Sequence, residues 1–194
     1  MLQMPLPPSP GAQEHCSIDL VNSEIQLPSN KSFDALATPE STTQWLIERN
    51  LVPHEASLQA YCQNRLATLR AQIREAFTAS TSGTEIGREA LRGINGALLA
   101  APNTALLRQE NGKGFFRALE HPATQLTEHA LAALAEDAAS LLSGDEADQL
   151  SQCEAEPCTR FFLRTHGRRQ WCSTRCGDRV RAARSYARKK EQKL

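Results

Sequence analysis

The sequence predicts a mainly α fold with one β-hairpin (α+β), followed by a small C-terminal module. Three observations predict this. Apolar residues recur at helical spacing through much of the first 145 residues. One turn-rich joint, Asn111-Gly112-Lys113-Gly114, separates two strand-like runs. Four of the six cysteines fall within the last 44 residues.

Residues 38–50 open the helical part. Thr38-Pro39 places a cap residue ahead of a proline at the first helical position. Trp45, Leu46 and Ile47 supply its core face, which ends near Asn50. Residues 57–77 follow as a helix, with Leu58, Tyr61, Cys62, Leu66, Leu69, Ile73, Ala76 and Phe77 on one side. Ser82 and Glu85 have capping-box spacing and predict a third helix through Ile86, Leu91, Ile94, Leu98 and Leu99, with Pro102 after it. The only good strand signal of this half comes next, residues 104–109 and 115–119 around the joint. A last helix is expected from near Pro122, burying Leu126, Ala130, Leu131, Leu134, Ala138, Leu141 and Leu142. Gly144 stands where a C-cap glycine belongs. Residues 145–151 read as a polar joint or short helix.

A length of 194 residues suits one domain and a small appendage. With 40% hydrophobic and 23% charged residues, the chain is neither mostly disordered, nor collagen-like, nor a coiled-coil rod. The longest apolar runs, such as residues 130–135, fall far short of the roughly 18 residues of a membrane helix. The start, MLQMPLPPSPGAQ, lacks the basic and apolar regions of a secretory signal and reads as a proline-rich disordered leader, residues 1–14. The expectation is a cytoplasmic protein with no membrane partner.

No catalytic pattern is present: no P-loop, dinucleotide fingerprint, nucleophile elbow or paired-His metal helix. The reading is not an enzyme. His15, Cys16, His54 and Cys62 leave room for a second metal or thiol site, against buried cysteines and surface histidines.

The net charge of zero hides a segregation. Residues 1–150 carry 10 Lys and Arg against 18 Asp and Glu, and residues 151–194 carry 12 against 4. A basic module of this kind suits nucleic acid or a membrane surface. In the same module Cys153 and Cys158 enclose four residues, and Cys172 and Cys176 enclose three. Two close pairs at this separation are the ligand pattern of one structural zinc ion, because short gaps let one turn present two thiolates to a tetrahedral, borderline-soft metal. With all four positions cysteine, no coordination site stays open for hydrolysis. The rival is thiol redox chemistry, but neither pair has the two-residue gap of that motif.

Residues 160–164 read as a strand, residues 165–167 turn the chain, and residues 168–171 return it. Ser173 then caps a helix to about residue 190. The order knuckle, hairpin, helix is treble-clef-like. Phe161 or Phe162, Leu163 and Trp171 are expected to pack under the metal, although aromatics among basic residues also stack on bases. At 100° per residue, Cys176, Val180, Ala183 and Ala187 form one stripe that should face the zinc and hairpin. Arg175, Arg179, Tyr186, Lys189 and Lys190 lie on one flank, and Arg181, Arg184 and Arg188 on the other. Like charges at these spacings repel, so the pattern points to phosphate and base contacts from Arg168, Arg169, Arg175, Arg179, Arg181, Arg184, Arg188 and Lys189. The bland alternative is a solvated basic tail.

These residues carry a resemblance. Cys153 through Cys158, Gly167-Arg168-Arg169-Gln170-Trp171-Cys172-Ser173 and Cys176-Gly177-Asp178-Arg179 resemble the CGNR zinc finger of bacterial proteins. Asp178 stands where that motif has Asn and adds a negative charge. Ile18-Asp19-Leu20-Val21-Asn22-Ser23, Gln44-Trp45-Leu46 and Gly93-Ile94-Asn95-Gly96-Ala97-Leu98-Leu99 resemble the ABATE domain that precedes the finger. The resemblance implies a helical domain over residues 15–145 and a zinc finger with a basic helix over residues 150–194. It further implies a stress-related transcription regulator with a zinc-dependent, DNA-binding C-terminus. The helical domain is then expected to sense a small-molecule effector or to form a homodimer, since one small finger contacts few base pairs. A zinc-finger adaptor for RNA or protein is the alternative.

Overall fold

The computed structural model describes residues 5–28, 31–101, 105–119 and 125–192. Pro102, Thr104 and Pro122, expected at element ends, lie outside the described residues, as do residues 1–4 of the leader.

Helix α1 (Cys16–Val21) is followed by strands β1 (Glu24–Leu27) and β2 (Lys31–Asp34). Helices α2 (Pro39–Ile47), α3 (Ala60–Ser82) and α4 (Arg88–Ala100) come next. Strands β3 (Ala105–Glu110) and β4 (Gly114–Leu119) pair antiparallel, with Gln109 opposite Phe115. Helix α5 (Leu126–Ser143), a single 3-10 turn, strands β5 (Leu150–Gln152) and β6 (Phe161–Leu163), and helix α6 (Thr174–Glu191) complete the chain.

Local chemistry accounts for the helices. Thr38 accepts from the backbone N–H of Ser41 while Ser41 Oγ accepts from that of Thr38, so α2 starts on a reciprocal cap with Pro39 behind it. On α3, Leu66, Leu69, Ile73, Ala76 and Phe77 are buried at helical spacing, and Gly83 ends the helix at a φ of 67°. The expected capping box at Ser82 is not formed. Ser82 belongs to α3, where its hydroxyl donates to the Thr78 carbonyl, and α4 begins at Arg88 instead. The backbone N–H of Gly87, just before it, donates to Glu75 Oε1 at 2.9 Å. Gly144 follows α5 in an extended conformation, not a left-handed one. It is needed for clearance, because a Cβ there would lie 2.7 Å from the Ser140 carbonyl oxygen.

Helices α1, α3, α4 and α5 enclose the main core with Ile18, Leu20, Phe77, Leu134 and Leu141. The β1–β2 hairpin, absent from the sequence expectation, is docked on this core by Arg70 of α3. That guanidinium is nearly buried; Nη2 lies 2.9 Å from Asp34 Oδ2 and Nη1 lies 2.9 Å from Ser23 Oγ.

The C-terminal module is not a separate unit. Leu150, Phe161 and Leu163 belong to the main core, and Phe161 meets Phe77 edge to face at 5.6 Å. Asn22, fully buried at the end of α1, donates from Nδ2 to the Phe161 carbonyl at 2.8 Å. Its Oδ1 accepts from the Phe161 N–H at 2.8 Å. The side chain thus replaces a missing neighbour strand for β6.

Two further expectations are corrected. Strand β6 pairs with β5, placing Leu150 opposite Leu163, and residues 168–171 form no strand. Residues 5–14 do not hang free as a leader: Leu6 and Ser9 are buried, the Pro10 carbonyl accepts from the Leu163 N–H at 2.9 Å, and Ser9 Oγ accepts from Asn22. Gly11 permits this approach, since its φ is 86° and a Cβ would strike Leu163 at 2.5 Å.

Two outcomes follow from these anchors. Asn22→Ala orphans both polar groups of a buried residue and should cost about 3 kcal/mol of stability in denaturant unfolding. Asp34, though burial opposes its ionisation, is held below the usual carboxylate range by hydrogen bonds from Arg70 and the Leu36 N–H. A folded pKa below the unfolded value near about 3.9 means that this contribution is present above that pH. It is lost as pH falls through the lower, folded value. Asp34→Asn should therefore cost about 2 kcal/mol at neutral pH and flatten the acid limb of a thermal-melt series.

Candidate metal centre and basic helix

Four sulfurs converge at the knuckle. Cys153, Cys158, Cys172 and Cys176 are all buried, and their Sγ atoms lie within 4.8 Å of one another. Cys158–Cys172 and Cys172–Cys176 are each separated by 3.8 Å. A tetrahedron with Zn–S of about 2.3 Å has edges of about 3.8 Å, so the donor set fits one zinc ion. Among the described residues no other group of His, Cys, Asp or Glu converges in this way. His15 instead lies between Asp137 and Glu146, each 3.1 Å away. Burial beside Asp137 pushes the Cys16 thiol up to about 12, which makes it a poor ligand and nucleophile.

Each ligand is positioned by a local device. Ser173 caps α6 by accepting from the Cys176 N–H at 3.3 Å, which fixes the second pair at a helix start. The Cys172 N–H points at Cys153 Sγ at 3.4 Å. Phe162 faces this centre while its neighbours Phe161 and Leu163 face the helical core, so one three-residue strand serves two cores. Trp171 packs over Gly177, where a Cβ would lie 2.9 Å from the indole. Four thiols at this distance cannot all ionise by themselves. Cys153 is held low by the thiols of Cys158 and Cys172, and those two are pushed up because their protons are held against Cys153. A dication replaces those protons and lets all four become thiolates.

The arginines divide into two sets. Arg179 donates from Nε to the Glu156 carbonyl at 3.1 Å and from Nη2 to the Ala155 carbonyl at 2.6 Å. Arg169 donates to the carbonyls of Trp171 and Cys172 and lies over the Phe162 ring. Both are half-buried and fasten the knuckle. Arg181 pairs with Asp178 at 2.6 Å and lies over Trp171, yet stays exposed. Arg175 is exposed and reaches the Pro5 carbonyl at 3.4 Å. Arg168, Arg184, Arg188 and Lys189 are exposed, and no partner is recorded for them among the described residues.

The expected buried stripe of α6 is shorter than its sequence pattern. Cys176 and Gly177 are buried and Val180 is half-buried, but Ala183 and Ala187 are exposed. Among the described residues from 181 onward only Ser185 is even half-buried, so about 16 Å of helix projects from the body. Arg160 was read from sequence only as a strand residue. It is buried beside Cys172 Sγ, at 3.9 Å, and the signal was its position as a cation between a metal ligand and two aromatics.

Elsewhere, a cleft of about 310 Å³ opens between α3, α4 and α5, lined by Tyr61, Asn64, Gln72, Gly96, Ala97 and Leu131 among others. Leu107 and Phe115 stand exposed on the β3–β4 hairpin. Among the described residues no helix is long and apolar enough to cross a membrane.

Cys172→Ser should abolish stoichiometric zinc by elemental analysis and remove amide protection from α6 and the knuckle. Protection of β6 should persist, because Phe161 and Leu163 are held by the helical core.

Comparison with known families agrees with this geometry. The ABATE model, described as "Putative stress-induced transcription regulator", matches residues 14–145, and the CGNR zinc finger model matches residues 149–189. No curated protein matches the chain. With four cysteines placed for one structural zinc and the ABATE match covering more than half its length, the chain belongs to the ABATE family and ends in a CGNR zinc finger.

Proposed function

We propose that the protein is a non-enzymatic, cytoplasmic transcription regulator that binds double-stranded DNA through α6. The observation that carries this reading is the projecting half of that helix. Arg184, Arg188, Lys189 and Lys190 extend into solvent beyond the last packed turn, with no acidic partner recorded among the described residues. Burying cationic side chains against phosphates relieves their mutual repulsion and releases condensed counterions.

In this reading Arg168, Arg175 and Arg181 flank the helix start and lie nearest the bases. Arg184, Arg188 and Lys189 neutralise phosphates farther along. Arg169 and Arg179 hold the knuckle through donors directed at its carbonyls. The helical domain supplies regulation. Its cleft admits a small effector, and the exposed Leu107 and Phe115 offer a surface on which two copies pair.

Selection of a randomised duplex pool by the zinc-loaded full-length protein tests the proposal. Enrichment of a defined motif is expected, and a palindrome would add the two-fold dimer. Absence of enrichment together with retained binding to RNA would instead make the protein an adaptor. In the same assay Arg184→Ala with Arg188→Ala should flatten the plot of log affinity against log salt by about two units. An unchanged slope would remove α6 from the interface.

A further inference from the structure

Arg160 is only 2% exposed. Its Nη1 lies 3.9 Å from Cys172 Sγ, its Nη2 donates to the Pro7 carbonyl at 2.8 Å, and its Nε has no partner among the described residues. A guanidinium remains protonated even when buried, and burial without a counter-charge is strongly disfavoured. Among the described residues no carboxylate forms an ion pair with it. Among the described residues, the anionic group it contacts is the metal centre. One zinc ion with four thiolates carries a net charge of about −2.

We infer that Arg160 is the counter-ion of the zinc–thiolate centre and that the same side chain docks residues 5–10 on the metal-loaded finger. The guanidinium spans the two, with one nitrogen on a ligand sulfur and the other on the Pro7 carbonyl. Around that link the Pro10 carbonyl accepts from Leu163, and the Pro5 carbonyl accepts from Arg175 at the start of α6. Arg160 is therefore a positioning residue. It sets its positive charge against the Cys172 sulfur and ties the seat of the N-terminal segment to the metal centre.

The test uses the full-length chain with Arg160→Met, which keeps an apolar stem without charge, and Arg160→Lys, which keeps the charge. Three quantities are read: zinc affinity by chelator competition, the thiolate-to-cobalt charge-transfer band of the cobalt-loaded protein, and amide exchange at Ala12 and His15. Ala12 and His15 donate to the Ser9 and Gly11 carbonyls within the docked segment. Arg160→Met should weaken zinc affinity at least about tenfold. It should move the band to longer wavelength, because a thiolate without a neighbouring cation gives up charge more easily, and it should speed exchange at both amides. Arg160→Lys should restore affinity and band towards the parent values. An unmoved band and unchanged affinity in Arg160→Met would overturn the assignment. So would Arg160→Lys behaving like Arg160→Met, since charge would then not be the active ingredient. Should Arg160→Met fail to fold, truncation of residues 1–8 decides beside Arg160→Lys. The truncated chain should keep the parent band, and a shift would show that the segment, not the arginine, tunes the centre.

Discussion

The amide of Asn22 makes one structure out of two halves. Strand β6 has β5 on one side only, and its other edge runs into the protein interior, where unpaired backbone groups are costly. Asn22 presents an acceptor and a donor to the N–H and carbonyl of Phe161, and its Nδ2 also reaches Ser9. Arg74 of α3 adds to this seam by donating to the carbonyls of Val21, Glu24 and Thr159. The seam is polar in its directional contacts and apolar in its filling, with Phe77 against Phe161. The finger accordingly takes its orientation from the helical body.

This arrangement resolves a difficulty of scale. A module of about 40 residues buries too little to fold unaided, and zinc is the usual remedy. Here the remedy is shared. Phe162 and the cysteines form one small core, while Leu150, Phe161 and Leu163 enter the larger one. Alternation along a single strand lets the chain join both.

Much of this was legible in the residues. The long helices were, because apolar periodicity over 18 to 23 residues leaves few alternatives. The metal ligands were too, because thiolate spacing reflects coordination geometry directly. The β1–β2 hairpin was not, since four-residue strands such as Lys-Ser-Phe-Asp carry too few apolar positions to show a period, and their anchor, Arg70, lies far along the chain. The partner of β6 was misassigned because Leu-Ser-Gln looks like a joint until Phe161 and Leu163 need a neighbour. The leader's packing depends on carbonyl groups, which every proline has and no composition reveals. For Arg169 and Arg179 the sequence shows a charge but not the carbonyls that already occupy their donors.

The packed seam gives the charge segregation a direction. Residues 1–150 hold an excess of eight negative charges and residues 151–194 an excess of eight positive ones. Were the two parts joined by a loose tether, thermal tumbling would average that separation away. Locked together, they form a permanent electric dipole whose positive pole includes the free end of α6. In the field of any polyanion such a molecule experiences a torque before it touches, turning the α6 tip forward and the acidic helices away. For the DNA binding proposed above, encounters then begin in one orientation, so the search for a productive pose is shortened by the shape of the charge distribution as well as by its size.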